Sequence, residues 1–385
     1  MRTAVSIDFR HAGSVLRNQD ENVPFGESRC MKQLYLCWND YQRRPDSMRS
    51  TVGYELRFIP PPFRSRLLKP FGYVWQSIAS LWAVVRFRPG VLWLQLPPSF
   101  LVHLMWVARL LSAGRMRLVA DCHNAMLRPP WSKFPVTIAL LNRMDLVLAH
   151  NQEALAQARS LGITTPRLHL LETRPAQLNG PVCVETESRQ TGGTPTILVP
   201  LSYGVDEPVD VVLSSAARLP DVTFLLTGHL EKARAKGYVG RAPANVRFTG
   251  KVDVAEYNRL LLECDVVLGI TAFEGIQLSV ANEAVGAAKP LVLSDTAILR
   301  ELFAAAALFS PNEPEALARM LRSALARKAQ LAVRSRELAT IREIRWNAQL
   351  QSALSAIGVE IPTVSETDVG GAWNSVPAAT RKWPR

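Results

Sequence analysis

The stretch from Asp265 to Phe303, DVVLGITAFEGIQLSVANEAVGAAKPLVLSDTAILRELF, constrains the fold of this chain more than any other part. An apolar run (Asp265–Thr271) leads into a polar loop with Glu274 and Gly275. A helical segment around Ser279–Ala288, a second apolar run (Leu291–Leu293) and another helix beyond Asp295 follow. This is a βαβ unit. Continuous apolar strands alternating with helices predict an α/β chain with a parallel sheet covered on both faces, and such sheets take ligands at the carboxyl ends of their strands. Glu283 falls in the first turns of the helix facing that edge. An ionised carboxylate there can accept hydrogen bonds from both hydroxyls of a ribose. The plainer alternative is an acid favoured near a helix start by the helix dipole alone.

Asn282-Glu283-Ala284, Gly286, Lys289-Pro290, Val292 and Ser294-Asp295 resemble the nucleotide-sugar signature of glycosyltransferase family 4, in which E-x7-E-A precedes G-x-P-x-V-x-S. The resemblance implies a GT-B fold, two Rossmann-like domains facing across a cleft, and transfer of a sugar from a nucleoside diphosphate sugar with retention at the anomeric carbon. It gives Glu283 the ribose and places Asn282, Glu274, Gly275, Gln277 and Thr271 around the donor. Eight residues, Gly275 to Asn282, separate the two glutamates here, so either the loop carries an insertion or Glu274 is a solvated loop acid.

The second half otherwise follows the family's order: TILVPLS, a helix after Glu207, VTFLLTG ending at Gly228, NVRFTG, and a helix over Tyr257–Glu263. One departure concerns the diphosphate. Family members place an Arg and a Lys after the first strand of this half, whereas Pro200–Glu207 carries no cation. Backbone N–H groups at Ser202, Tyr203 and Gly204, with the following helix terminus, can bind phosphate instead, helped by Lys289 or a distant arginine.

In the first half, RLVADCHNAMLRPPW (Arg117–Trp131) reads as a strand running into a loop at Asp121-Cys122-His123-Asn124. The loop resembles the D-x-H-N segment of a bacterial exopolysaccharide and capsule subgroup, and by that resemblance His123 faces the transferred sugar. A neutral imidazole can hydrogen-bond the sugar or take up a proton, although a histidine satisfied by its own loop is the structural alternative. Asp121 can fix the imidazole or act itself, and Asn124 can cap the turn or touch the acceptor. His150 opens a helix at the same edge and reads as a capping residue. After the first strand, where the family carries a glycine-rich loop, Asn39-Asp40-Tyr41-Gln42-Arg43-Arg44 has no glycine, and Arg43 or Arg44 can reach a phosphate.

With 385 residues, 48% of them hydrophobic, the chain can build two cores. The expected division is a disordered tail over 1–30, an acceptor domain over 31–177, a linker over 178–195, a donor domain over 196–334, a crossover helix over 335–359 and a disordered tail over 360–385. Five scattered cysteines without a C-x-x-C pair suggest neither a disulfide framework nor a zinc site. No D-x-D motif stands in a suitable loop, so no metal or other cofactor is expected. The first thirty residues lack the apolar centre of a signal peptide, and the cytoplasm is the expected location.

The run Val91–Leu111 contains Pro97, Pro98, His103 and Arg109, so it splits into a strand, VLWLQL, and a helix rather than spanning a membrane. Phe71, Val74, Trp75, Ile78, Leu81, Trp82 and Val85 recur at helical spacing and read as core. Around them, from Asn39 to Arg88, nine Lys or Arg stand against three Asp or Glu, +6 of the chain's +12. Such a region could hold an anionic membrane face or a polyprenyl-diphosphate-linked or glycan acceptor, or it is a solvated basic surface. No aromatic interleaving or motif supports a nucleic-acid partner. The missing cation pair and displaced Glu274 keep a second class open, a catalytically silent scaffold of a polysaccharide assembly complex.

Overall fold

A computed structural model describes residues 31–176, apart from Arg64, Arg66 and Ala113, and residues 193–359. The expectations on both tails, on most of the linker and on Cys30 and Cys183 lie outside the described residues. Cys37, Cys122 and Cys264 are buried free thiols.

The first half holds β1 (Gln33–Cys37), β2 (Glu55–Phe58), β3 (Val91–Leu96), β4 (Arg117–Cys122), β5 (Leu146–Ala149) and β6 (Leu168–Leu170) in one parallel sheet of order β2-β1-β3-β4-β5-β6. The second holds β7 (Thr196–Pro200), β8 (Thr223–Thr227), β9 (Val246–Gly250), β10 (Val266–Gly269), β11 (Leu291–Ser294) and β12 (Ala307–Ser310), also parallel, in order β12-β11-β10-β7-β8-β9. β1, β3, β5, β10 and β11 are buried along their whole length, as strands covered on both faces must be. In the first half the helices are α1 (Arg43–Val52), α2 (Lys69–Phe87), α3 (Phe100–Leu111), α4 (Thr137–Leu141) and α5 (Gln152–Ser160). In the second they are α6 (Val209–Ala217), α7 (Leu230–Ala235), α8 (Tyr238–Arg241), α9 (Val254–Glu263), α10 (Ser279–Gly286), α11 (Ala297–Phe303) and α12 (Pro314–Ala326).

Strand order reverses between β1 and β3 in the first sheet and between β7 and β10 in the second. Loops leaving the carboxyl ends of strands on either side of such a reversal splay apart and open a crevice. The crevice of the second sheet therefore lies between the loop after β7, which carries Ser202–Glu207, and the loop after β10, which carries Glu274–Gln277 and leads into α10 with Glu283.

A last helix, α13 (Lys328–Ser355), joins the halves. It begins seven residues before Ser335, where the sequence placed the crossover. Leu331 and Leu338 pack with the second half, whereas Trp346, Leu350 and Leu354 enter the core beneath the first sheet with Tyr35, Val119 and Leu148.

The helix α2 corrects an expectation. Its large apolar residues Phe71, Val74, Trp75, Ile78, Trp82 and Val85 are exposed, with Leu81 half-buried. The buried stripe is Gly72, Gln76, Ser80 and Val84. The spacing identified the stripe correctly but not its direction, because polar hydrogen bonds hold the small residues inward: Gln76 Nε2 donates to Ile59 O at 2.7 Å and Trp38 Nε1 to Ser80 Oγ at 2.8 Å.

Candidate functional site

Sequence places Asp121 at the end of a buried strand, and there it is fully buried. Such a carboxylate must be paired. Arg44 supplies Nε at 3.0 Å and Nη2 at 3.0 Å, Tyr35 its hydroxyl at 2.7 Å, and His150 Nε2 at 2.8 Å. Arg44 also donates to the carbonyls of Leu171 and Glu172, clamping β4 to the segment beyond β6. Burial alone would raise the Asp121 carboxyl, but Arg44 and the bond from His150 hold it well below the usual carboxylate range. Asp121 is thus an internal counter-ion, out of reach of a substrate. Arg44, 6% exposed and turned inward, is likewise out of reach of a phosphate.

His150 is not the simple capping residue its position suggested. Asn151 caps α5, accepting from Ala154 N at 2.7 Å, while His150 joins Asp121 to His123, whose ring lies edge-on to it at 4.5 Å. Burial lowers the His150 pKa, so this ring is a neutral donor to Asp121. Burial and the neighbouring His150 lower the His123 pKa to about 3. Its Nε2 faces Gln42 Oε1 at 3.2 Å and donates to it, which leaves Nδ1 as an acceptor. A ring so reluctant to take a proton suits a fixed hydrogen bond better than general-base work at neutral pH. Asn124 follows in a 3₁₀ turn (Asn124–Leu127), and its buried Oδ1 has no hydrogen-bond partner among the described residues.

Next to Gln42, Arg43 points the other way. Its Nε meets Glu283 Oε1 at 2.9 Å and its Nη2 meets Asn258 Oδ1 at 3.0 Å. The second Glu283 oxygen accepts from Tyr257 OH at 2.5 Å. His123, Gln42, Arg43 and Glu283 therefore form one chain of contacts from the first sheet to the second, which puts His123 and Glu283 on the same cleft. Asn151 Nδ2 approaches Gln277 Oε1 at 3.4 Å as a second crossing, and Gln277 Nε2 is buried without a partner among the described residues. Gly275 is a glycine because its φ of +71 is one that other residues adopt only under strain, and the Arg128 and Glu153 side chains of the first half lie against it. Sequence reasoning missed Tyr257, Asn258 and Gln42, since nothing local marks a residue that functions by reaching another half of the molecule.

The amides of the loop after β7 converge on one anion. Ser202 N at 3.0 Å, Ser202 Oγ at 3.1 Å and Gly204 N at 3.1 Å all donate to the Glu207 carboxylate. Tyr203, between them, sits at φ +56 with its ring buried against Tyr238, a strained conformation for a bulky residue. Gly228 closes the loop's floor, where any side chain would strike the Leu201 carbonyl. The cations absent from the loop come from α7 and the residue just beyond it: Lys232 Nζ binds Ser202 O at 3.2 Å and Lys236 Nζ binds Tyr203 O at 2.8 Å. Their i, i+4 spacing was the available signal.

The remaining expected residues stand further from this chemistry. Exposed Glu274 accepts from Ala297 N at 3.1 Å at the start of α11. Thr271 is buried and ties β10 to β11, its N–H donating to Ser294 Oγ at 2.9 Å. Asn282 is buried, with Oδ1 unpartnered among the described residues. Lys289 precedes β11, at the sheet edge opposite the crevice, and its ammonium binds the carbonyls of Leu262 and Cys264, so it cannot aid a phosphate there. No group of three side chains able to hold a metal occurs among the described residues.

Two Rossmann-like halves whose strand-end loops meet across a cleft, joined by a crossing C-terminal helix, define the GT-B fold. The Anabaena protein HepE, solved in complex with UDP and with UDP-glucose, shares it with this chain at 16% identity and a TM-score of 0.61, over 85% of this chain and 100% of that one. The sucrose-phosphate synthase of Thermosynechococcus elongatus aligns over 78% of each chain at 17% identity and a TM-score of 0.50. A putative UDP-N-acetylglucosamine 2-epimerase from Listeria monocytogenes aligns over 84% of this chain and 97% of that one, at 14% identity and a TM-score of 0.54. No protein-family model matches the sequence, and no curated protein matches it. The likeness is one of fold.

Proposed function

We propose that this chain is a glycosyltransferase that moves a sugar from a nucleoside diphosphate sugar to a glycan or polyprenyl-diphosphate-linked acceptor in making a bacterial surface polysaccharide. The observation that carries the reading is the Glu283 carboxylate at the crevice of the second sheet, tied through Arg43 to the loop that holds His123. Uridine diphosphate sugars are the first donors to test, given the ligands of HepE.

In this reading Glu283 exchanges Arg43 and Tyr257 for the two ribose hydroxyls, with Asn282 and Gln277 nearby. The diphosphate takes the amides of Ser202 and Gly204 from Glu207, with Lys232 and Lys236 supplying positive charge behind the loop. His123 accepts a hydrogen bond from the sugar at Nδ1. The bond from the anomeric carbon to the diphosphate oxygen breaks, the acceptor hydroxyl bonds to that carbon on the same face, and its proton passes to the departing phosphate oxygen. Retention then needs no protein nucleophile. No metal or organic cofactor enters the proposal.

A second reading, a silent scaffold, is favoured by the same side chains: Arg43 occupies the ribose carboxylate and Glu207 the amide cradle. Incubating the protein with a panel of nucleoside diphosphate sugars, with and without membrane extract, separates the two. Nucleotide release, or thermal stabilisation that Glu283→Ala removes, supports a donor enzyme. No response to any donor would leave the scaffold.

A further inference from the structure

The helix α2 is inside out: its small and polar stripe is fixed inward by hydrogen bonds from Gln76 and to Ser80, while Trp82 is 70% and Ile78 62% exposed. Rotating the helix to hide the apolar face would break those buried bonds, so the face needs an external partner. Phe71, Val74, Trp75, Ile78, Trp82 and Val85 form it, over about 21 Å of helix. At its C-terminal end Lys32, Arg86 and Arg88 line an open depression of ≈ 450 Å³ with Trp82, Val85 and Phe87. None of these three cations makes an ion pair with a described residue.

We propose that α2 lies flat on an anionic phospholipid surface, with Trp75 and Trp82 at the headgroup level and the depression of Lys32, Arg86 and Arg88 receiving lipid phosphates. Charge selects this partner. Between Glu55 and Asp121 the chain carries nine Lys or Arg and no acidic residue. Of these, Lys69, Arg86 and Arg88, on or beside α2, are exposed and make no ion pair with a described residue, which suits an anionic bilayer and not the mixed charges of a second copy. Residues 1–30 and 360–385 each balance their acidic and basic side chains, so neither offers the complementary charge. No described helix is long and apolar enough to cross a membrane, and an interfacial helix with a tryptophan-rich face does not need to.

The test uses the full chain, sedimented with vesicles of phosphatidylglycerol mixed into phosphatidylcholine and with phosphatidylcholine alone. Binding to the mixed vesicles only, weakened by salt and accompanied by a blue shift of tryptophan emission, is expected. Arg86→Ala with Arg88→Ala should weaken it about thirty-fold, at about 1 kcal/mol per cation. Trp75→Ser with Trp82→Ser should abolish it with the melting temperature kept, since both rings are exposed. Equal binding to neutral vesicles, or none to either, overturns the proposal. So does a dimer in vesicle-free solution that the tryptophan substitutions dissociate, which would make a second copy the occupant. Neither donor nor acceptor enters this experiment, so its failure leaves the reading of the cleft intact.

Discussion

Arg43 and Arg44 are neighbours in the chain, yet each neutralises a carboxylate of a different kind. The Arg44–Asp121 pair is 5% and 0% exposed, lies within one half, and is completed by Tyr35 and His150. The Arg43–Glu283 pair is 16% and 13% exposed and spans two halves joined by a linker and one crossing helix. A buried internal pair cannot separate without stranding a charge, whereas a pair across a cleft can be exchanged for ligand whenever the halves part. The same residue types thus build a fixed support on one side and a replaceable contact on the other.

The largest effect should fall on the fixed pair. Asp121→Asn leaves Arg44 buried without its counter-charge and should cost about 3–5 kcal/mol of folding stability, read by urea unfolding. A loss below about 1 kcal/mol, with activity abolished, would return Asp121 to a chemical role. Glu283→Ala should do the reverse. Stability is kept, and donor affinity falls about a hundredfold or more, for two charged hydrogen bonds of about 1.5–3 kcal/mol each are lost. Unchanged affinity by calorimetry would remove the ribose assignment.

The histidines sharpen the contrast through pH. His123 and His150 both have pKa values lowered in the folded protein, His123 from 6.5 to about 3. Their neutral forms contribute stability that is complete above about pH 6.5 and declines as the pH falls, because the unfolded chain then binds protons that the folded one refuses. The decline should approach about 1.4 kcal/mol per pH unit for His123, with a further contribution of the same sign from His150, and His123→Asn should remove the His123 share. A stability profile flat from pH 7 to pH 5 would contradict that environment.

For catalysis, His123→Ala should lower kcat about tenfold while leaving donor KM nearly unchanged, as the loss of one transition-state hydrogen bond would. Equal loss in both would assign it to binding. The smallest effect belongs to the cradle. Glu207→Gln should tighten donor binding about fivefold, since a neutral amide competes less well than a carboxylate for the Ser202 and Gly204 amides. Weaker binding would mean that Glu207 itself holds the donor.

Much of the fold was legible locally. The runs QLYLC, VLWLQL, TILVP and LVLS are strands where their apolar continuity placed them, and Gly162 ends α5 with φ +87. Glu283 at the crevice was legible too, because a βαβ unit fixes which end of a strand a helix start faces. Harder to read was any property that depends on what lies opposite. Arg43 and Arg44 are equivalent in sequence, and His150 looked like a cap until Asp121 came within 2.8 Å of it.

By itself, then, the sequence determined two parallel α/β halves and the strand-end loops that carry the candidate chemistry, since apolar periodicity and turn residues act over a few neighbours. Tertiary structure alone decided that Arg44 faces inward and Arg43 across the cleft, that Glu207 fills the amide cradle, that Lys232 of α7 and Lys236 just beyond that helix stand behind it, and that α2 turns its tryptophans outward. Periodicity fixes which residues share a face. What that face meets is set by hydrogen bonds and charges brought together from distant parts of the chain.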